Sequence, residues 1–362
     1  MTPFVYMAPA ARVVFGSGTR AALADEIRTL ACRRALILST PPQRSDADQL
    51  ASDIGALAAG VFTEAAMHTP LEITERAVAH ARALASDCVV AIGGGSSVGL
   101  AKAIALNTDQ PQIVLPTTYA GSEATSILGQ TAGKEKRTLR SPKVQPEVII
   151  YDVDLTLTLP VHQTAVSGMN AIAHAIEALY AQDRNPVISI LAEEAIRCFA
   201  KSLPTLVASP GDRQARSDAL YAAWLCGCCL NAVSMGLHHK LCHTLGGMFD
   251  LPHAETHAVI LPHATAYNTP AAQEVMQRAA GALGAGDAAA GLFDLATRLG
   301  APTTLSALGL KETDLDAAAA AAVRTPYPNP RPLSLLAVRD LLENAFQGLR
   351  PASNLGSETH HA

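Results

Sequence analysis

The sequence has no surplus of positive charge: 27 Lys and Arg stand against 32 Asp and Glu, a formal charge of −5. A nucleic-acid-binding chain would carry a basic excess or stripe, so none is expected as a partner. Long hydrophobic runs are missing too. Stretches such as Ala317–Val323 fall far short of the ~20 residues a bilayer demands, so no membrane span is expected. The start, Met1–Phe15, shows no basic segment followed by an apolar one, so no secretory signal is expected. The seven cysteines, Cys32, Cys88, Cys198, Cys226, Cys228, Cys229 and Cys242, are odd in number and match no zinc spacing. Their simplest reading is small buried hydrophobes in a reducing cytosol, which makes a cytoplasmic location the expectation. Cys242 is set apart because it lies among histidines.

What is present is enough for two domains: 362 residues, 49 % of them hydrophobic. Residues 1–159 alternate short apolar runs (Ala35–Leu38, Cys88–Ile92, Gln112–Pro116, Val148–Tyr151) with helical patterns such as Arg20–Leu30 and Ile73–Leu84. That alternation predicts a doubly wound parallel sheet, a Rossmann-like α/β domain. From Pro160 the strand signals stop, and Ala/Leu-rich helical stretches punctuated by Pro, Gly and Asn run on, predicting an all-α domain over 160–352. The polar tail, Ser353–Ala362, is expected to be disordered.

Two loops carry chemistry in the first domain. The strand Cys88–Ile92 runs straight into Gly93-Gly94-Gly95-Ser96 and then into a helical pattern. Glycines let a ligand approach the backbone, and a helix start offers free N–H groups to a phosphate. After the next strand come Thr117, Thr118 and Ser122, whose hydroxyls suit a nicotinamide amide or a ribose; the plainer reading is a helix cap by Ser122 or Thr125. An earlier strand ends at Ser39-Thr40. An acid there would hold an adenosine ribose and repel a 2′-phosphate; none is present, so NADH and NADPH are both expected to fit.

Histidines are concentrated in the second domain. Asn170 and His174 stand four apart, as do His239 and His243, and His253 and His257; His238 and His263 lie nearby. A single histidine on an apolar helix face is usually a satisfied core residue. Pairs at helical spacing on separate segments point to a shared polar site.

Gly93–Ser96, Pro116-Thr117-Thr118, Gly168-Met169-Asn170-Ala171-Ile172-Ala173-His174 and the array His239-x3-His243-x9-His253, in that order, resemble the iron-containing (group III) alcohol dehydrogenases. The resemblance implies the architecture shared with dehydroquinate synthase: a Rossmann-like domain for NAD(P) and a helical domain for a divalent metal, in a homodimer. The family's Asp and three His ligands would fall on Asn170, His174, His239 and His253. Two departures remove negative charge: Asn170 stands where the family has Asp, and Gly99 where its glycine loop continues with Asp. With Leu237–Gly247, His253–His257 and Tyr327-Pro328-Asn329-Pro330-Arg331-Pro332, these departures resemble the branch that reduces maleylacetate, a small dicarboxylate, to 3-oxoadipate in aromatic-compound catabolism. That branch is taken to work without metal.

The chemistry tolerates this. Hydride addition to an alkene conjugated with a ketone leaves an enolate, far less basic than an alkoxide, and hydrogen bonds can carry its charge. The expected proton donor is His243 or His253, with His239, His174 and Asn170 lining the site. The substrate's carboxylates call for cations; Arg324, Arg331 and Lys240 are the candidates, together with His257. The alternatives are a metal-dependent alcohol dehydrogenase using Asn170 as an unusual ligand, a lyase like dehydroquinate synthase, and a non-catalytic NAD(P)-binding protein.

Overall fold

A computed structural model describes Phe4, Tyr6, residues 11–132 and residues 135–351. The tail expectation for Ser353–Ala362 lies outside the described residues. The strands are β1 (Arg12–Gly16), β2 (Ala35–Leu38), β3 (Ala58–Phe62), β4 (Cys88–Gly93), β5 (Gln112–Pro116), β6 (Ile127–Ala132), β7 (Glu135–Arg140) and β8 (Val148–Asp152). The helices are α1 (Leu23–Thr29), α2 (Arg44–Ile54), α3 (Leu71–Ala83), α4 (Gly95–Thr108), α5 (Val161–Tyr180), α6 (Pro186–Ala208) and α7 (Arg213–Ala232). They continue with α8 (Leu237–Phe249), α9 (His253–Asn268), α10 (Gln273–Leu283), α11 (Ala288–Arg298), α12 (Leu315–Val323) and α13 (Leu335–Gln347). No single helix among the described residues is long and apolar enough to cross a membrane.

Six strands form a parallel sheet in the order β1-β8-β5-β4-β2-β3. The four strands visible in the sequence are its four inner ones, buried at every position. Strands covered on both faces read as unbroken apolar runs. The edge strands β1 and β3 are half-exposed and lack that signature, which is why the sequence hid them. The antiparallel hairpin of β6 and β7 was hidden likewise, since β6 is only partly buried.

Alternate residues of the inner strands supply opposite faces. Ile37, Val90, Ile113 and Ile150 pack with Leu23, Ile27 and Leu50 of α1 and α2 on one side. Leu36, Val89 and Val114 pack with Ala77, Val98 and Ile104 of α3 and α4 on the other.

The chain divides into two compact units. Among the described residues, one joins 11–160 with 211–231, so most of α7, which the sequence grouped with the C-terminal helices, belongs to the sheet unit. The physical reason is local. The fully buried Arg216 donates from Nη1 to the Tyr119 hydroxyl (3.2 Å) and from Nη2 to the Leu159 carbonyl (3.1 Å). Gly121 meets Gly227 so closely that a Cβ on Gly121 would come within 3.2 Å of the Gly227 Cα.

The other unit holds, among the described residues, 161–210 and 232–351 with Phe4 and Tyr6. Here α5 is buried along nearly all its length and packs on α6 and α9. Leu237, Leu241 and Leu245 of α8 join Val259 and Ile260 of α9 and Leu342 of α13 in one core.

Candidate active site

In the sheet unit, the register that pairs Gly93 with Pro116 brings the two polar loops together at the carboxyl ends of β4 and β5. This is where doubly wound sheets take ligands. Thr117 N donates to the Gly93 carbonyl at 3.0 Å. Gly93 has φ +138°, and a Cβ there would press to 2.6 Å on both Gln43 Oε1 and Ser97 Oγ. A Cβ on Gly94 would come within 2.9 Å of Thr118. Only glycine fits this turn, and what crowds it is the chain's own Gln43, Ser97 and Thr118.

Gln43, which the sequence reading missed, spans the strand ends: its Nε2 donates to Thr117 Oγ1 (3.1 Å) and its Oε1 accepts from Thr40 Oγ1 (3.2 Å). Ser39 is buried, and its hydroxyl donates to the Thr40 carbonyl at 3.1 Å. Ser96 is half-buried in the first turn of α4. The buried Ser97 and Ser122 hydroxyls have no protein partner. The departure at Gly99 is steric as well as electrostatic, because a Cβ there would run into the Thr69 hydroxyl.

Behind these loops lies a second feature the sequence did not disclose. Lys102 is buried and its Nζ donates to the carbonyls of Ser122 (2.6 Å), Thr125 (2.6 Å) and Ile127 (2.9 Å) and to Thr125 Oγ1 (2.9 Å). Burial pushes its ammonium well below the usual lysine range. Burial pushes the neighbouring Glu123 carboxyl up, and Glu123 accepts from the Tyr151 hydroxyl at 3.1 Å.

In the helical unit, Asn170, His174 and Glu177 lie at i, i+4 and i+7 on α5, one face of the helix. Glu177 was missed; the heptad spacing was its signal. Its carboxylate is fully buried, takes His239 Nδ1 at 2.6 Å, and accepts from the backbone N–H groups of Gly236 and His238 (3.0 Å each) and from the Tyr180 hydroxyl (2.9 Å). Burial by itself raises this carboxyl; the hydrogen bond and charge of His239 outweigh it and bring it to about 2.

The His174 and His239 rings stack at 5.0 Å, and His243 stands edge-on to His239 at 6.2 Å. The His253 ring is 4.4 Å from that of His257, whose Nδ1 lies 2.9 Å from His238 Nε2. Burial and the crowd of imidazoles hold His174 and His257 well below the usual range. The same causes push His238 down to about 3. His243 and His253 are exposed, whereas Asn170, His174 and His239 are buried. Asn170 Oδ1, His174 Nδ1 and His239 Nε2 have no protein partner, so the polar edges of the cluster are left for a ligand.

The candidate cations are spread out. Arg324 is exposed. Arg331 lies over the Tyr267 ring at 4.4 Å and donates to the Tyr267 carbonyl (3.2 Å). Lys240 Nζ is 6.0 Å from the Tyr327 ring centre. Asn329 of the same stretch exchanges hydrogen bonds with Asn268 (2.8 and 3.1 Å) and accepts from Leu237 N at the start of α8.

The four positions that the resemblance assigns to a metal, Asn170, His174, His239 and His253, offer one neutral amide and three imidazoles. A hard divalent cation draws its binding from carboxylate charge. The carboxylate that is near, Glu177, is already spent on four donors. This donor set is one negative charge short of the Asp-and-three-His set that the resemblance assigns.

Residues 10–153 match the profile of iron-containing alcohol dehydrogenases, and residues 164–346 that of the C-terminal region of the Fe-containing alcohol dehydrogenase family. Among curated relatives, maleylacetate reductase of Rhizobium sp. (strain MTP-10005) is 57 % identical, covering 97 % of this chain and 100 % of the relative. Maleylacetate reductase of Burkholderia cepacia is 55 % identical, with coverage of 97 % and 100 %. The crystal structure of maleylacetate reductase from Agrobacterium tumefaciens superposes with a TM-score of 0.95 at 59 % identity, over 97 % of this chain and 100 % of that one. On these matches, together with the glycine turn and the histidine array, the chain belongs to the iron-containing alcohol dehydrogenase family.

Proposed function

We propose that this chain reduces maleylacetate to 3-oxoadipate with hydride from NADH or NADPH, and that it does so without a metal ion. The observation that carries this reading is the donor set around Asn170: amide and imidazoles, with no free carboxylate. The relatives' names supply the substrate. A dianionic substrate is repelled by acids, and a cluster short of them suits it.

The glycine turn Gly93–Gly95 with Ser96 and the α4 N-terminus would hold the cofactor's pyrophosphate, and Thr117, Thr118 and Ser122 its nicotinamide half. Ser39 and Thr40 receive the adenosine ribose with or without its 2′-phosphate. A bound nicotinamide would supply hydride to the alkene carbon β to the ketone; the alkene pair then becomes the enolate C=C bond and the ketone's pair moves onto oxygen. Asn170, through its amide N–H, and His174 stabilise the enolate oxygen, and His239 lines the site. His243 or His253, exposed and so reprotonated from solvent, delivers a proton to the α carbon. Arg324, Arg331 and Lys240 are the cations for the carboxylates. His257 is fully buried and engaged by His238, so it belongs behind the site, not on the substrate. The working unit is taken to be a cytoplasmic homodimer.

The test is oxidation of NADH and of NADPH with enzymatically generated maleylacetate, with and without EDTA. Turnover with both cofactors, unchanged by chelator, is expected. No turnover, or activity lost to EDTA and restored by iron or zinc, would overturn the proposal.

A further inference from the structure

Cys242 stands four residues after His238 on α8, so both project from one face of that helix toward His257 of α9. His238 and His257 are 0 % exposed and Cys242 is 2 % exposed. His238 Nε2 lies 2.9 Å from His257 Nδ1 and 3.7 Å from Cys242 Sγ, and all three donor atoms fall within 4.8 Å of one another. A tetrahedral zinc with ordinary bond lengths separates two imidazole nitrogens by about 3.4 Å and a nitrogen from a sulfur by about 3.6 Å. The His238–Cys242 spacing already matches a coordination shell, and the two imidazole nitrogens need to part by about half an ångström to admit an ion.

We propose that His238, Cys242 and His257 form a binding site for a soft divalent cation such as Zn²⁺, separate from the four positions the family resemblance assigns to a metal. One sulfur and two imidazoles are donors that borderline-soft ions prefer, and the thiolate brings the negative charge that the amide and three imidazoles of the family positions lack. The ion replaces the single His238–His257 hydrogen bond with two coordinate bonds and takes the Cys242 sulfur as thiolate, whose proton leaves to solvent. Water fills the fourth position. Charge closes as well: the thiolate offsets one positive charge, and the buried Glu177 carboxylate, which accepts from His238 N at 3.0 Å, offsets the other. The other close donor group among the described residues, Cys32, Asp87 and Cys88, is less suited. There the Asp87 oxygens are each engaged at 2.8 Å by the backbone N–H groups of Arg33 and Arg34.

Cobalt(II) separates this site from any all-histidine one, because only a thiolate ligand gives a sulfur-to-cobalt charge-transfer band. Chelator-stripped full-length protein titrated with Co²⁺ should develop that band to one equivalent per chain, and Zn²⁺ should abolish it. Cys242→Ser should lose the band and bind Zn²⁺ at least about 10-fold more weakly. Cys242→Ala, which removes the donor altogether, serves if the serine variant is unstable. Wild-type protein that binds cobalt without a sulfur band, binds none, or keeps the band in the Cys242 variants overturns the proposal. The readout needs no turnover, so it stands or falls apart from the proposed reduction.

Discussion

His239 Nδ1 lies 2.6 Å from Glu177 Oε2, with both side chains in the interior. A histidine held through Nδ1 by an ionised carboxylate has one ring orientation and turns Nε2 outward, and here that Nε2 has no protein partner. Glu177 is therefore a positioning residue for His239.

Glu177→Gln keeps the volume and removes the charge. We expect kcat to fall by roughly 100-fold through misorientation of His239, with the maleylacetate KM little changed. Steady-state kinetics on variant protein whose circular dichroism matches wild type will check this. An equal loss in kcat and gain in KM, or no loss at all, would mean that Glu177 only supports the fold.

Asn170→Asp puts back the charge the family has at this position. The variant should bind Zn²⁺ or Fe²⁺ through this position at least about 10-fold more tightly than wild type. Its KM for the dianionic substrate should rise through repulsion. Calorimetric titration, in parallel with the Cys242→Ser background to silence the sulfur site, measures the first effect. An unchanged affinity would show that the imidazoles here cannot close around an ion even with the carboxylate supplied.

The buried imidazoles make acid stability testable. His174, His238, His257 and His263 are all held below the usual histidine range, with burial as the main cause. In the unfolded chain each would titrate near about 6.5. A depressed folded value means that the unfolded state binds more protons below that pH. Stability is thus complete above about pH 6.5 and is lost as the pH falls. Between pH 7.5 and 5.5 the loss should reach about 5 kcal/mol, or about 7 °C in Tm. Thermal melts at the two pH values decide it, and a flat Tm would count against four neutral rings.

Lys102→Met removes the ammonium that gathers three carbonyls of the segment after Ser122. We expect a stability loss of about 3 kcal/mol and a KM for the nicotinamide cofactor raised by about 10-fold or more. Chemical denaturation and cofactor titration read the two separately. A destabilised variant with unaltered cofactor KM would confine Lys102 to the fold.

The sequence exposed the inner strands and the donor atoms better than their surroundings. Ala35–Leu38 and Gln112–Pro116 are unbroken apolar runs because both faces of the sheet cover them, whereas Ala58–Phe62 sits at an edge and carries no such mark. Asn170, His174 and His239 were legible from helical spacing. Glu177 and Lys102 were not, because an acid or a lysine in a helical stretch reads as solvent-facing until its burial is seen. Gln43 was out of reach for another reason: its partners, Thr40 and Thr117, are joined only through strand pairing of distant segments.

The return of α7 to the sheet unit has a consequence for biogenesis. The ribosome must finish Gly211–Asn231 before Arg216 can reach the Tyr119 hydroxyl and the Leu159 carbonyl. Until then Phe15 and Tyr151 lack the Tyr221 and Trp224 rings of α7 that flank them. A fragment clipped after residue 160 would keep those aromatic faces bare for good, and would be a client for chaperones instead of an autonomous nucleotide-binding module.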